Sequence, residues 1–197
     1  MPAIRPVSSP DERAARVLAA VTYLRIALVP VIMALVLAGD DRRHAYVIAA
    51  VLFAIAAITD LLDGFLARRW RQATTLGSFL DTTADKLLVS GALLALVAVD
   101  RASPWIAFLI IGRELLILGL RGAVAAGGEV ISPSIWGKLK ANAQFIAIFL
   151  AIVRPSDNLG PLSIDEYAML VAAALTVVSA IEYLVRFASV FAPRPRR

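Results

Sequence analysis

The chain lacks cysteine altogether and contains a single histidine, His44. A disulfide framework and thiol chemistry are therefore excluded, and any metal site has to be built from carboxylate oxygens. Charge is also scarce, since 18% of the 197 residues are Asp, Glu, Lys or Arg, against about 25% in soluble domains. This scarcity argues against a water-soluble globular protein.

Hydrophobic residues make up 60% of the chain and occur in long blocks. About 20 apolar residues are enough to cross the hydrocarbon core of a bilayer. The sequence therefore predicts an all-α integral membrane protein with six transmembrane helices. The predicted spans lie near residues 19–38, 44–66, 76–99, 104–126, 135–153 and 167–191.

A short amphipathic helix is predicted ahead of the first span. Ser9 is suited to the N-cap, Pro10 to the first helical position, and Glu12 completes a capping box. Arg13 and Arg16 give this helix a basic face, so we expect it to lie along the membrane surface.

The domain organisation follows from these segments. A cleaved signal peptide is the alternative at the N-terminal end, but Arg25 interrupts the apolar run that such a peptide needs. The expected parts are a juxtamembrane helix at 1–18, a six-helix domain at 19–191 and a basic tail at 192–197.

The basic residues are unevenly distributed between the two sides of the predicted spans. The poorer side has Arg42, Arg43, Arg101 and Arg154. The richer side has Arg5, Arg13, Arg16, Arg68, Arg69, Arg71, Lys138, Lys140, Arg194, Arg196 and Arg197. Since basic loops of membrane proteins face the cytoplasm, we expect both termini and the 67–75 loop there. The net charge of +5 then suits anionic headgroups better than nucleic acid.

Four aspartates lie at the ends of two neighbouring apolar segments. Asp60 and Asp63 are three residues apart and share one helix face, and Asp81 and Asp85, four apart, share a face of the next helix. The loop between the helices is short, so the two faces can converge. A carboxylate within a membrane helix costs about 2.5–3.5 kcal/mol at mid-span, which marks these residues as functional.

The chemistry of such a cluster follows from its charge. Two divalent cations would neutralise four carboxylates, and oxygen ligands favour Mg²⁺ or Mn²⁺. Paired cations of this kind hold a phosphoryl group between attacking and leaving oxygens, which predicts phosphoryl transfer at the membrane surface. A structural polar network and a metal-ion transport site are the alternatives. A transporter is disfavoured because residues 45–58 and 87–99 are nearly all apolar.

The segment from Asp60 to Asp85 carries a recognisable pattern. It reads Asp-x2-Asp-Gly-x2-Ala-Arg-x8-Gly-x3-Asp-x3-Asp, and it resembles the motif of the CDP-alcohol phosphotransferases at every specified position. Members of that family are six-helix membrane enzymes that displace CMP from a CDP-linked lipid with an alcohol. Three further motifs are similar to its bacterial phosphatidylglycerophosphate synthases: Thr22-x2-Arg25, Arg113-Glu114-Leu115-Leu116 with Arg121, and Gly137-Lys138-Leu139-Lys140 with Gln144.

The resemblance implies an activity and its cofactors. The implied reaction transfers a phosphatidyl group from CDP-diacylglycerol to sn-glycerol 3-phosphate, with two Mg²⁺ or Mn²⁺ ions, in a homodimer of the bacterial cytoplasmic membrane. Inositol phosphate, phosphatidylglycerol and serine are the alternative acceptors within the family. Three positions depart from the family pattern, namely Ala19, Ala141 and Ala180.

The resemblance also implies roles for individual residues. The implied metal ligands are Asp60, Asp63, Asp81 and Asp85, and Asp85 is also the implied general base. The implied contacts to CDP are Thr22, Asp63, Gly64, Ala67, Arg68 and Gly77. The implied ligands of the acceptor phosphate are Arg25, Arg113, Arg121, Lys138 and Lys140.

The cations of the later helices have an alternative explanation. Apart from Glu114 beside Arg113, the sequence offers them no evident acidic partner. Each cation could instead extend its side chain to the membrane interface. That explanation suits Lys140 well and Arg113 poorly, because Arg113 lies inside an apolar span.

Overall fold

A computed structural model of the 197-residue chain describes most of its backbone. The described residues are 10–39, 44–70, 75–126, 134–155, 158–159 and 161–191. The side chains are described at 19–39, 44–59, 80–126, 134–155 and 161–188.

Helices account for almost all of the described backbone. They are α1 (Pro10–Leu37), α2 (Ala45–Trp70), α3 (Thr75–Ala98), α4 (Pro104–Ala126), α5 (Ile135–Val153) and α6 (Ile164–Phe191). Between α5 and α6, strands β1 (Asn158–Leu159) and β2 (Leu162–Ser163) form an antiparallel hairpin that the sequence analysis did not predict. Over its described residues the chain is therefore all-α apart from this hairpin, as predicted.

The helix boundaries agree closely with the apolar segments, and α4 and α5 coincide with them. The first helix differs, because a separate interfacial helix was expected before the first span. Instead, α1 begins at Pro10 and runs without a break to Leu37. No glycine or proline lies between Glu12 and Val29, so nothing in this segment ends the helix. The predicted cap, Ser9, lies outside the described residues.

The chain divides into two compact units, Met1–Ala95 and Leu96–Arg197. In the first unit, α1 packs on α2. Its core is formed by apolar side chains, including Ile32, Val36, Ala49, Phe53, Ala84, Leu88 and Leu93. Gly91 of α3 allows a close approach to α1, because a Cβ there would lie 2.6 Å from Val29 Cγ1.

In the second unit, α6 packs along both α5 and α4. The core includes Ile110, Ile117, Phe145, Ile148, Ile152, Met169 and Ala172. Side chains also define the ends of α5. Ser134 Oγ accepts a hydrogen bond from the backbone N–H of Gly137 at 2.9 Å. At the other end, Arg101 Nη1 donates to the carbonyl of Ile152 at 2.8 Å, so a cation stabilises the negative end of the helix dipole.

Three of the six helices are long and apolar enough to cross a membrane over their described residues. They contain the spans Ala19–Leu37, Ile135–Val153 and Ile164–Ala188. Large apolar side chains such as Trp105 and Phe108 are exposed, as is usual for a protein whose outer surface contacts lipid. In α3 and α4, charged residues interrupt the apolar sequence, and the described apolar part of α2, Ala45–Thr59, is shorter than a span. A membrane crossing by these three helices stays a prediction.

Candidate active site

Asp81 and Asp85 lie one turn apart on the same face of α3. Their side chains are partly open, 38% exposed for Asp81 and 29% for Asp85. Ala84, between them in the sequence, is fully buried and packs this turn against the core. Asp85 also lies near the neighbouring Lys86, with 3.8 Å between Oδ2 and Nζ. The helix thus presents two carboxylates at an accessible surface.

The other residues of the aspartate motif lie in α2 and in the first turn of α3. Asp60, Asp63, Gly64, Ala67 and Arg68 all fall within α2, so their spacing is helical as predicted. Gly77 lies one turn before Asp81 in α3. Their side chains lie outside the described part of the chain, and the convergence of all four aspartates stays a prediction.

Arg25 of α1 pairs with Asp81 of α3. Its Nη1 donates to Asp81 Oδ1 at 3.0 Å, and only 1% of the Arg25 side chain is exposed. A buried guanidinium requires a partner of this kind, since an unpaired buried charge is costly. The sequence analysis expected Arg25 to bind an acceptor phosphate and did not foresee this ion pair. Thr22, an implied CDP contact, is buried three residues before Arg25 on α1.

A second group of charges lies in the other unit, among α4, α5 and α6. Glu114 Oε1 accepts a short hydrogen bond from Lys140 Nζ of α5. The same oxygen lies 3.4 Å from Arg113 Nη1, its neighbour on α4. The Arg113 guanidinium also lies over the ring of Tyr183 of α6, 5.4 Å from its centroid. We call Arg113, Glu114 and Lys140 the buried charge cluster.

The buried charge cluster corrects two expectations. Lys140 was expected to suit the membrane interface, but it is 5% exposed and paired with Glu114. It was also expected to lack an acidic partner, which is wrong because α4 and α5 bring Glu114 to it. Arg113 is buried, as its position inside an apolar span indicated. Its Nε and Nη2 atoms have no hydrogen-bond partner among the described residues.

Two further predicted ligands of the acceptor phosphate do not join this cluster. Arg121, two turns after Arg113 on α4, is exposed. Lys138, in the first turn of α5, is exposed as well. Both side chains are accessible to a water-soluble substrate, but the structure does not bring them together with Arg113.

A polar path crosses the interface between α5 and α6. Gln144 Nε2 donates to Thr176 Oγ1 at 3.0 Å, and Thr176 Oγ1 donates to the carbonyl of Ala172 at 2.7 Å. Ser179 Oγ donates to the carbonyl of Thr176 at 3.2 Å. All three side chains are buried, so this path fixes the register of the two helices.

Sequence reasoning did not assign a role to Glu114 or Thr176. A signal existed for Glu114, because an acidic residue inside an apolar span requires a cation nearby. Thr176 carried no such signal, since a hydroxyl within a helix can bond to a carbonyl of its own preceding turn.

Comparison with known proteins is informative at this point. A family model described as "CDP-alcohol phosphatidyltransferase" matches residues 17–178, which include both groups of charged residues. The chain belongs to this family. The resemblance inferred from the aspartate motif is thereby confirmed, and the protein is a CDP-alcohol-dependent phosphatidyltransferase by family.

Curated relatives can be aligned with most of this chain. The "CDP-diacylglycerol--glycerol-3-phosphate 3-phosphatidyltransferase" of Bacillus subtilis (strain 168) is 40% identical over 174 residues, 83% of this chain and 90% of the relative. The "Probable phosphatidylglycerophosphate synthase" of Mycobacterium tuberculosis (strain ATCC 25618 / H37Rv) is 40% identical over 84% of this chain and 78% of its own. A protein of Sodalis glossinidius (strain morsitans) with the first of these names is 44% identical over 68% of this chain and 75% of the relative.

The donor chemistry of the phosphatidyltransferase site is suited to divalent cations. Asp81 and Asp85 supply carboxylate oxygens from adjacent turns, and both are open enough to accept a ligand. Oxygen donors of this type select Mg²⁺ or Mn²⁺ over softer metals. Within the side chains that the structure describes, no three potential ligands lie together. The other two predicted ligands, Asp60 and Asp63, belong to α2.

Proposed function

We propose that this protein transfers the phosphatidyl group of CDP-diacylglycerol to sn-glycerol 3-phosphate, forming phosphatidylglycerophosphate and CMP. Family membership supports the phosphatidyl transfer, and the names of relatives at about 40% identity support the acceptor. The observation that carries the acceptor choice to this chain is the buried guanidinium of Arg113. Its two unpartnered donors suit a phosphate group, which glycerol 3-phosphate has and serine lacks.

The reaction assigns a proton transfer to Asp85. The acceptor hydroxyl loses its proton to the Asp85 carboxylate, and its oxygen attacks the phosphorus that carries the diacylglycerol. The bond from that phosphorus to the bridging oxygen breaks, and CMP leaves with the electron pair. Partial exposure allows Asp85, in the N-terminal half of α3, to meet a water-soluble acceptor.

Asp60, Asp63, Asp81 and Asp85 would hold two Mg²⁺ or Mn²⁺ ions. When bound, the ions would neutralise the negative charge of the diphosphate and of the leaving CMP. The Arg25–Asp81 ion pair supports this assignment, because it orients the Asp81 carboxylate on α3.

Substrate recognition is assigned to two groups of residues. The proposed contacts to CDP are Thr22, Asp63, Gly64, Ala67, Arg68 and Gly77. The proposed ligands of the acceptor phosphate are Arg25, Arg113, Arg121, Lys138 and Lys140. Of the latter, Arg113 has free donors at a buried position, and Arg121 and Lys138 are accessible from water.

The proposed location is the cytoplasmic membrane of a bacterium, with six spans in a homodimer. The apolar spans of α1, α5 and α6 support a membrane location. The uneven distribution of basic residues supports cytoplasmic termini and a cytoplasmic active site, where CDP-diacylglycerol and glycerol 3-phosphate meet.

A panel of acceptors tests the proposal. Purified protein in detergent is incubated with CDP-diacylglycerol and Mg²⁺ or Mn²⁺, and CMP release is measured with glycerol 3-phosphate, inositol 3-phosphate, serine or phosphatidylglycerol. We expect release with glycerol 3-phosphate and none above background with the others. Release with another acceptor alone would assign the protein to a different branch of the family. The Asp85→Asn variant is the matched control for background hydrolysis.

A further inference from the structure

The buried charge cluster contains an acidic residue, Glu114, to which the proposed reaction assigns no role. Arg113, Glu114 and Lys140 are between 4% and 8% exposed, so all three are removed from water. Two positive charges and one negative charge leave a formal net charge of +1. Removing these charges from water is costly unless each of them is paired.

A single carboxylate oxygen of Glu114 serves both cations. Lys140 Nζ donates a hydrogen bond to Oε1, and Arg113 Nη1 lies 3.4 Å from the same atom, at the long end for a charge-assisted hydrogen bond. Glu114 therefore pairs with Lys140 and contacts Arg113 at one edge of its guanidinium. Arg113 Nε and Nη2 have no partner among the described residues. Buried donors without partners call for a ligand.

The orientation of that free edge depends on two contacts. Glu114 holds Nη1 from the same helix, and the ring of Tyr183 lies beneath the guanidinium plane. Without the carboxylate, the Arg113 side chain can rotate about its torsions, and its guanidinium N–H donors no longer point in a fixed direction. Lys140 would also lose its acidic partner and compete for the same anion.

We infer that Glu114 is a positioning residue for the acceptor. It engages Lys140 and fixes the guanidinium of Arg113, so that Nε and Nη2 face the phosphate of the incoming acceptor. The inference rests on the proposed function, because it assumes an acceptor that carries a phosphate. It assigns to Glu114 a role in acceptor recognition and none in the chemical step.

Two explanations of Glu114, by charge and by positioning, predict opposite effects of its removal on acceptor binding. Neutralising the carboxylate raises the formal charge of the cluster from +1 to +2, which by electrostatics should strengthen the binding of an anionic acceptor. If Glu114 acts by positioning, the same change weakens acceptor binding, because a misplaced ligand group loses its geometry. The sign of the change in KM therefore separates the two explanations.

The experiment compares wild type with Glu114→Gln, Glu114→Asp and the double variant Glu114→Gln/Lys140→Met. CMP release gives KM and kcat for glycerol 3-phosphate and, separately, for CDP-diacylglycerol. Thermal unfolding in detergent checks that each variant is folded. The double variant keeps a formal cluster charge of +1 and leaves no unpaired lysine, so it stays informative if the single variant fails to fold.

We expect Glu114→Gln to raise KM for glycerol 3-phosphate about tenfold or more, with KM for CDP-diacylglycerol within about twofold of wild type. Glu114→Asp retains the charge on a shorter side chain. Its KM for glycerol 3-phosphate should lie between the values of wild type and Glu114→Gln. The double variant should keep a raised KM for glycerol 3-phosphate, because Arg113 still lacks its carboxylate and Lys140, a proposed ligand of the phosphate, is also lost.

Several results would overturn the inference. An unchanged or lowered KM for glycerol 3-phosphate in Glu114→Gln would show that Glu114 only reduces positive charge. Recovery of the wild-type KM for glycerol 3-phosphate in the double variant would show that Glu114 serves only to balance the charge of Lys140. An equal rise in both KM values would indicate a general role in the fold. Failure of the proposed function is recognised separately, because wild type would then release no CMP with glycerol 3-phosphate.

Discussion

The two charged regions of this protein differ in which charges are exposed and which are buried. On α3, Asp81 and Asp85 are partly exposed, and a buried cation, Arg25, holds one of them. Among α4, α5 and α6 the cations themselves are buried, and an acidic residue, Glu114, holds them. Under the proposed function, the first region would offer negative charge to metal ions and the second would offer positive charge to a phosphate. In both, a buried residue of opposite charge orients the side chains that the proposal assigns to ligand binding.

Removal of divalent cations should have the largest effect and should act on the aspartate region. Since every proposed ligand is a carboxylate, thorough treatment with EDTA should abolish CMP release, and Mg²⁺ or Mn²⁺ should restore it. The measurement is CMP release before chelation, after it and after metal is added back. Full activity in protein shown to be metal-free would remove the basis for a two-metal site.

Asp85→Asn should be the next most severe change. It keeps the size of the side chain but removes its basicity, so kcat should fall by roughly 10²–10⁴. KM for CDP-diacylglycerol should change much less. Asp100→Asn is the matched control, because Asp100 is exposed at the turn after α3, with a φ of 54° that asparagine also tolerates. A loss of similar size in both variants would argue against Asp85 as the base.

Arg113→Ala and Lys138→Ala should distinguish the buried cation from an exposed one. Arg113→Ala should raise KM for glycerol 3-phosphate about tenfold or more, with little change for CDP-diacylglycerol. Lys138→Ala should raise it by no more than about fivefold, because solvent screens an exposed charge. Steady-state kinetics with each substrate varied in turn gives both values. If both variants weaken the CDP-lipid equally, these cations serve the diphosphate instead.

Gly91→Ala should have the smallest effect, and it should act on the aspartate region alone. The new methyl group would lie 2.6 Å from Val29 Cγ1 and 3.0 Å from Met33 Sδ. We expect the free energy of unfolding to fall by about 1–3 kcal/mol as α1 and α3 are pushed apart. Gly112→Ala is the control, since no described atom lies within 4 Å of its added Cβ. Thermal unfolding of both variants in detergent measures the difference, and equal stabilities would contradict the close packing of α1 and α3.

The two regions also differ in how far they could be predicted. The aspartate motif lies within one stretch of chain, so its helical spacing and its family resemblance were evident from the residues. The buried charge cluster joins residues 26 positions apart, and Arg25 and Asp81 are 56 positions apart. Periodicity within a helix predicts which residues share a face, but not which face of another helix they meet. Lys140 was misjudged for this reason.

The sequence by itself determined the helices, the aspartate spacing and the family of this protein. Long apolar runs bounded by charged or turn residues can only form helices in a bilayer, because every backbone polar group must be satisfied within its own segment. The tertiary structure alone decided that Arg25 holds Asp81 and that Glu114 holds Lys140 and Arg113. These pairs depend on the rotation and the depth at which one helix packs on another. The rotation and depth of each helix are set by the packing and charge of all the helices in its unit together. They cannot be read from any single segment.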